Sequence, residues 1–161
     1  MKKYIKVFST KIEKIAVNEE DLAYGVIGKK VSCSKDAANL FHAMYSNKLF
    51  IEESEAFCVA FLNNATKVIA LEVVGTGSIS ATVVNKQKIA RRALEHNAKS
   101  VILCHNHPSG TMSPSKPDIS ITQEIKRGLA FLDISVLDHV IIGVNEFDIP
   151  VHYSFADEGN L

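Results

Sequence analysis

An apolar run that ends in two histidines constrains this chain more than any other part of its sequence. The apolar residues 101–103 lead into His105, Asn106 and His107, and Pro108-Ser109-Gly110 follows. Side chains alternate between the two faces of a strand, so His105 and His107 would point the same way. On a helix, the same spacing would separate the two side chains by about 200°, too far for them to share one ion. Because the apolar run is typical of a strand, we predict a buried strand that brings two imidazoles to one point.

An aspartate in the next segment offers a third ligand. Asp118 stands 11 positions after His107, and catalytic zinc commonly has three protein ligands and an open position for water. The predicted zinc ligands are therefore His105, His107 and Asp118, while Cys104 alternates to the opposite face and is not expected to ligate. Asp118 has a second interpretation, because Ser115-x-x-Asp118 before an apolar-periodic segment is typical of a helix cap. The two interpretations are compatible, since a helix that starts beside the strand end would hold Asp118 near the histidines.

The remaining sequence patterns predict one layered domain, of the α/β or α+β class, around a single mixed sheet. The chain has 161 residues, 47% of them hydrophobic, which is enough for one domain with its own core. Residues 1–34 are predicted to be an N-terminal extension with uncertain strands in 4–16, the domain spans 35–153, and the polar tail 154–161 is expected to fray. Helical periodicity covers residues 35–48, 86–98 and 115–132, and strand-like runs cover 56–62, 67–74, 100–104, 134–142 and 147–153, the first two as a hairpin.

Charge, hydropathy and cysteine usage exclude several classes of protein. Lys+Arg and Asp+Glu both number 18, so the chain lacks the basic surplus of dedicated nucleic-acid binders. The lysines among residues 2–14 are expected to solvate one face. No apolar stretch approaches the roughly 20 residues of a membrane span, and no signal peptide is recognised, so no membrane partner is predicted. The 3 scattered cysteines indicate a reducing compartment, the cytoplasm, without disulfides.

The histidine motif resembles the RadC-like family of the JAB/MPN (JAMM) metallopeptidase superfamily. The string His-Asn-His-Pro-Ser-Gly at 105–110 is followed by Pro114-Ser115-x-x-Asp118, and the superfamily motif is a distant glutamate, then His-x-His, ten residues and an aspartate. The run 55–63 is similar to the family's first core strand and 137–143 to its closing strand, so the resemblance covers about residues 35–143. It implies a three-layer fold, similar to that of cytidine deaminases, in which helices flank a mixed sheet.

The resemblance also implies a role for each residue of the motif. His105, His107 and Asp118 would bind Zn²⁺, and the zinc would lower the pKa of a bound water to about 7. Glu55 would be the general base, which takes a proton from that water and later gives it to the leaving amine. Ser115 would donate a hydrogen bond to the developing oxyanion. The implied activity is that of a zinc metallopeptidase, a hydrolase that cleaves a peptide or isopeptide amide in a peptide or protein substrate.

Neighbouring acidic and polar residues leave two alternatives open. Glu53 has the same strand parity as Glu55, and Glu52 is also close, so the choice of Glu55 as the base rests on the resemblance. Asp138 and His139 either orient a metal ligand from behind or are a polar pair at the start of a strand.

Two further functions are alternatives to hydrolysis. Longer members of the RadC-like family carry a helix-hairpin-helix region that often contacts nucleic acid, whereas residues 1–34 contain no Gly-bearing hairpin between two short helices. A DNA-repair-associated module that binds nucleic acid is therefore less supported than a hydrolase. A non-catalytic JAMM-like scaffold for protein interactions is expected to lack part of the ligand set, which this chain has in full.

Overall fold

A computed structural model describes residues 25–46, 55–77 and 84–161 of the chain. The strands predicted within 4–16, the N-terminal lysines, Glu52 and Glu53 lie outside these residues. No helix in the described part of the chain is long and apolar enough to cross a membrane. The helices and strands of the described residues lie where the sequence predicts them: α1 (Ser34–Ser46), β1 (Ala56–Leu62), β2 (Val68–Thr76), α2 (Lys86–Glu95), β3 (Ser100–Asn106), α3 (Lys116–Ala130), β4 (Ser135–Val144) and β5 (Pro150–Ser154).

The strands form a single mixed sheet in the order β2-β1-β3-β4-β5, which confirms the predicted fold class. β3 and β4 run parallel, and the other neighbouring pairs are antiparallel, including the predicted β1–β2 hairpin. β3 lies in the middle, and all 7 of its residues are buried, which accounts for its continuous apolar sequence. In this register Phe57 of β1 lies opposite His105, and His139 of β4 lies opposite Leu103.

Helices cover both faces of the sheet, so the domain has three layers. α1 packs on one face, and α2 and α3 pack on the other, each with the strand residues that alternate to its side. The α1-side core includes Phe41, Met44, Cys58, Ile102 and Cys104. The α3-side core includes Phe57, Ile89, Leu103, Ile121 and Ile125. Cys104 therefore faces away from the side of β3 that carries His105, as strand alternation predicts.

The C-terminal segment packs against the domain, although the polar sequence of residues 154–161 predicts a tail that frays. Phe155 is 0% exposed, and its backbone N–H donates to the carbonyl oxygen of His139 at 3.0 Å. The carboxylate of Asp138 accepts hydrogen bonds from the Ser154 hydroxyl at 2.7 Å and the Ala156 N–H at 3.0 Å. One aromatic anchor and one buried carboxylate thus hold a segment whose other residues are mostly polar.

Residues 25–34, which the sequence assigns to an N-terminal extension, pack against the predicted domain. Val26 and Val31 are buried in the α1-side core. The backbones of Lys30 and Lys67 form an isolated antiparallel bridge beside β2.

An ion-pair network joins β2 to α2. The Arg92 Nε donates to Glu72 Oε1 at 2.7 Å and Oε2 at 2.8 Å, and Arg92 Nη1 donates to Glu95 at 2.7 Å. His96 Nε2 lies 2.6 Å from Glu72 Oε1. Burial alone would raise the pKa of Glu72, but the hydrogen bonds from His96 and Arg92 lower it from 4.5 to about 2. Glu72 is therefore held ionised by Arg92 of α2 and by His96, which directly follows that helix.

Candidate metal centre

The three predicted metal ligands converge where β3 ends and α3 begins. His105 Nε2 lies 2.9 Å from His107 Nε2, and the Asp118 oxygens lie 3.5 Å from His105 Nε2 and 3.7 Å from His107 Nε2. The side chains of His105 and Asp118 are buried, and that of His107 is 11% exposed. Among the described residues these three form the group of histidine, cysteine and acidic side chains that could hold a metal ion, with ligand atoms within 4.8 Å of one another.

Local structure explains why the two histidines face one point. His105 is the next-to-last residue of β3, and the N–H of His107 donates to Ile142 of β4 at 3.0 Å, which continues the strand-like path. The chain then turns at Gly110, whose φ of +73° lies in the left-handed region. A Cβ at Gly110 would also lie 3.1 Å from the carbonyl oxygen of Val144. A glycine is therefore needed for the turn that carries the chain from the histidines towards α3.

Asp118 caps α3, and its carboxylate also lies beside the two imidazoles, so the cap leaves it in a position where it could bind a metal ion. The Ser115 hydroxyl accepts a hydrogen bond from the Asp118 N–H at 3.3 Å, and Asp118 Oδ2 accepts from the Ser115 N–H at 2.7 Å. This is a complete capping box at the start of α3. The Ser115 hydroxyl also donates to Asp118 Oδ2 at 2.6 Å. The cap thereby fixes the position of the carboxylate beside the two imidazoles.

The ionisation of the three groups suits a divalent cation. Burial lowers the pKa of His105 from 6.5 to about 4, whereas the hydrogen bond with Asp118 raises the pKa of His107. Burial alone would raise the pKa of Asp118, but the hydrogen bond with His107, the nearby His105 and the hydrogen bonds from Ser115 hold it well below its ordinary value. At neutral pH a neutral His105 thus faces an ionised Asp118, and metal ligands must be deprotonated in this way.

The spacing of the donor atoms also fits a small metal ion. Zinc bonds of 2.0–2.1 Å in a tetrahedron place the ligand atoms about 3.3–3.4 Å apart. The observed separations of 2.9, 3.5 and 3.7 Å lie on both sides of that value. Two imidazole nitrogens and one carboxylate oxygen are a donor set that catalytic zinc sites use. The residues present therefore fit a small metal ion, with the two imidazole nitrogens slightly closer together than a tetrahedral site would place them.

Glu55 lies next to the cluster. It directly precedes β1, and its carbonyl oxygen accepts a hydrogen bond from the Gly77 N–H at 2.8 Å. Its negative charge contributes to the raised pKa of His107, so its carboxylate lies within electrostatic range of that ring. The side chain is partly exposed, which leaves it accessible to solvent beside the predicted ligands.

Asp138 and His139 lie on opposite faces of β4. His139 Nε2 lies 2.8 Å from His105 Nδ1, so its ring contacts a predicted ligand directly. The carboxylate of Asp138 points to the other face, where it accepts the hydrogen bonds of the C-terminal segment and that of the His139 N–H at 2.7 Å. Burial raises the pKa of Asp138. Of this pair, His139 is therefore the residue that the fold brings to the cluster.

Three residues near the cluster were not predicted from the sequence. Thr122 lies 2.6 Å from His139 Nδ1, and the rings of Phe57 and Phe155 pack against His139 with centroid distances of 5.4 and 4.7 Å. Thr122 follows Asp118 by four residues and so shares its helix face, a pattern that could have identified it. No pattern identifies Phe155, because it stands alone in a polar segment.

Comparisons with known proteins identify the family to which this chain is similar. A family model described as the RadC-like JAB domain matches residues 31–160. The chain is 45% identical over 109 residues to the UPF0758 protein YeeS of Escherichia coli (strain K12), which covers 68% of this chain and 70% of that protein. It is 40% identical over 131 residues to a UPF0758 protein of Flavobacterium johnsoniae, which covers 81% of this chain and 53% of the relative.

Some relatives are considerably longer than this chain. The match to a UPF0758 protein of Pseudomonas savastanoi pv. phaseolicola is 45% identical over 95 residues, which is 59% of this chain and 42% of that protein. The chain thus spans about half the length, or less, of several curated relatives that it matches. The family model nevertheless extends over most of the chain and includes β1 to β5 and the three converging side chains. On this evidence the chain belongs to the RadC-like JAB domain family.

Proposed function

We propose that this protein is a zinc-dependent hydrolase that cleaves a peptide or isopeptide amide with an activated water molecule. The observation that carries the proposal is the convergence of His105, His107 and Asp118, with the charge of Glu55 in range of His107. A zinc ion held by the three side chains would act as a Lewis acid and lower the pKa of a water molecule to about 7.

The chain's own residues would supply the proton transfers. Glu55 lies beside the cluster and is partly exposed, so it can take a proton from the attacking water and return it to the leaving nitrogen. The products are then a carboxylic acid and an amine, with both hydrogens of the water accounted for. General acid–base catalysis of this kind contributes typically about 10²–10⁴-fold to the rate.

Ser115 is the proposed hydrogen-bond donor to the developing oxyanion. In the structure its hydroxyl hydrogen is already used on Asp118, so the role requires the hydroxyl to rotate. Its hydroxyl donates to Asp118 Oδ2 at 2.6 Å, and a hydroxyl has one hydrogen. To stabilise an oxyanion, the hydroxyl would have to turn away from Asp118 while its oxygen still accepts the Asp118 N–H. Loss of one such donor lowers kcat by about 10²–10³-fold in other hydrolases.

Two pairs of substitutions, each a test variant with a matched control, test the proposal. Purified protein should bind zinc, and His107→Ala should lose it, whereas His152→Ala on the exposed side of β5 should keep it. Glu55→Gln should keep zinc and lose turnover on peptide or isopeptide substrates, whereas the exposed control Glu158→Gln should keep both. Failure of the wild-type protein to bind zinc would refute the metal centre. Full turnover by Glu55→Gln would refute the assignment of the base.

The same activity screen tests the nature of the substrate. A panel of fluorogenic peptides, isopeptide-linked conjugates and single- and double-stranded DNA should give cleavage in the first two classes alone. Salt-dependent binding or cleavage of DNA, with no amide hydrolysis by zinc-loaded protein, would instead favour a nucleic-acid function.

A further inference from the structure

A buried chain of hydrogen bonds runs behind the metal cluster, from α3 through β4 to β3. The Thr122 hydroxyl donates to the backbone carbonyl oxygen of Asp118, one turn earlier in α3. The same hydroxyl oxygen lies 2.6 Å from His139 Nδ1, and His139 Nε2 lies 2.8 Å from His105 Nδ1. All three side chains are 0% exposed, so their hydrogen-bonding groups have no alternative partner in bulk water.

The direction of each hydrogen bond follows from the first one. A carbonyl oxygen only accepts, so the single hydrogen of the Thr122 hydroxyl is used on Asp118. The Thr122 oxygen must then accept from His139 Nδ1–H, which leaves a lone pair on His139 Nε2 when that ring is neutral. His139 Nε2 in turn accepts from His105 Nδ1–H. His105 therefore presents an unprotonated Nε2 to Asp118 and His107.

The surroundings of His139 keep its ring neutral. Phe155 stacks on one face of the ring at an interplanar angle of 14°, and Phe57 packs edge-on at 61°. The two ring nitrogens of His139 face the Thr122 hydroxyl and His105 Nδ1, so among the described residues no carboxylate is hydrogen-bonded to this fully buried ring to compensate a charge on it. A carboxylate in the place of His139 would orient His105 equally well, but it would add a negative charge behind the cluster. A neutral imidazole orients the ligand without that charge.

His107 is set in the same tautomer by a different acceptor. Its Nδ1 faces the backbone carbonyl oxygen of Thr111, which can only accept, so Nδ1 carries the hydrogen and Nε2 is the free nitrogen of the neutral ring. In the metal-free protein, His107 Nε2 lies 2.9 Å from His105 Nε2 and close to Asp118, so a proton on His107 Nε2 has an acceptor on either side. Once that proton leaves, both Nε2 atoms and the Asp118 carboxylate face one point, where a cation would replace it.

We propose that Thr122 and His139 are positioning residues that lock His105 in the tautomer with a free Nε2, and so assemble the zinc-binding atoms before the metal arrives. The proposal rests on the metal centre of the proposed function, but it does not depend on what the protein hydrolyses. Residues that orient metal-binding histidines in other proteins change metal affinity by about 10–100-fold when they are mutated. A similar loss is expected here.

Thr122→Val is the sharpest variant, because it removes the hydroxyl and nearly preserves the volume. His139 would then lose the acceptor for its Nδ1–H and would favour the tautomer with hydrogen on Nε2. His105 Nδ1 would become the acceptor, and its hydrogen would move to Nε2, where it blocks the metal. Thr122→Ser, which retains a hydroxyl, should restore the wild-type state. Ser120→Ala removes an exposed hydroxyl from the same helix and serves as the control.

Two measurements decide the proposal. Competition with a chromophoric chelator gives zinc affinity, and ¹⁵N–¹H correlation spectra of the imidazoles in metal-free protein give the tautomers. We expect zinc binding about 10–100-fold weaker in Thr122→Val, with affinity within about threefold of wild type in Thr122→Ser and Ser120→Ala. A folded Thr122→Val protein with wild-type zinc affinity and an unchanged His105 tautomer would overturn the proposal.

The wild-type spectrum keeps the test decisive if Thr122→Val does not fold. The metal-free wild-type protein must show hydrogen on Nδ1 of both His105 and His139, and hydrogen on Nε2 of His105 in a neutral ring would overturn the proposal without any variant. The proposed function fails separately, if wild-type protein binds no zinc or the zinc-loaded protein cleaves no amide. Zinc binding with the wrong His105 tautomer would therefore refute this inference alone.

Discussion

Phe155→Ala should destabilise the domain strongly, because this fully buried ring packs the C-terminal segment against His139 of β4. Phe155 is 0% exposed and stacks on His139 with the ring centroids 4.7 Å apart. A buried phenylalanine removes about 150–250 Å² from water. At about 25 cal/mol per Å² this gives about 4–6 kcal/mol, and a compact unfolded state reduces the figure by about 10–40%. The expected loss of about 3–5 kcal/mol agrees with the usual effect of this substitution in a core.

The assay is urea denaturation followed by circular dichroism, with the free energy of unfolding extrapolated to water. Phe147→Ala is the matched control, since Phe147 is 73% exposed in the turn before β5, and its loss should change the free energy by no more than about 0.5 kcal/mol. A loss below about 1 kcal/mol for Phe155→Ala would refute the reasoning, because so small a change in the free energy of unfolding is typical of substitutions at exposed positions. It would mean that residues 154–161 fray in solution, as their polar sequence suggests.

Two pH dependences follow from the shifted pKa values. The pKa of Glu72 is depressed from 4.5 to about 2, so the stability that it contributes is present above pH 4.5 and is lost as the pH falls through its folded pKa. That contribution is about 1–2 kcal/mol after allowance for solvent screening. In Glu72→Gln, the free energy of unfolding should therefore depend less on pH in this range. Parallel curves of unfolding free energy against pH for wild type and variant would contradict the assignment. The second dependence concerns zinc affinity, which should be constant above the raised pKa of His107 and should fall about tenfold per pH unit below it. Below that pKa one proton must leave the His107 ring before zinc binds, whereas His105, with a pKa of about 4, is already neutral. Titration of the zinc dissociation constant between pH 5 and pH 8 measures this slope, and a flat profile would exclude His107 as a ligand.

The parts of the site that depend on local sequence could be predicted. Strand alternation places His105 and His107 on one side, and the Ser115-x-x-Asp118 pattern starts α3 at the observed residue. These features depend on the backbone within a few residues, so the sequence contains the information. The helices and strands of the described residues follow from the same kind of local periodicity.

The parts that depend on long-range packing could not be predicted. Thr122 and His139 are 17 residues apart and meet only because α3 packs over β4. Phe155 stands in a polar segment, and its burial depends on its stacking against His139 of β4. The choice of Glu55 also required the resemblance to the family, because strand parity treats Glu53 in the same way.

The pairing of β1 with β3 fixes how far Glu55 lies from the two histidines of the cluster. Phe57 lies opposite His105, so Glu55, two residues earlier, is set at a fixed distance along the strand from the imidazoles. β1 is bonded on its other side to β2, so it cannot slide without breaking two ladders of hydrogen bonds. A one-residue deletion within β1 would turn Glu55 to the α1 side of the sheet. Such a deletion would separate Glu55, the proposed base, from the proposed metal ligands while leaving every residue of the His-x-His motif in place.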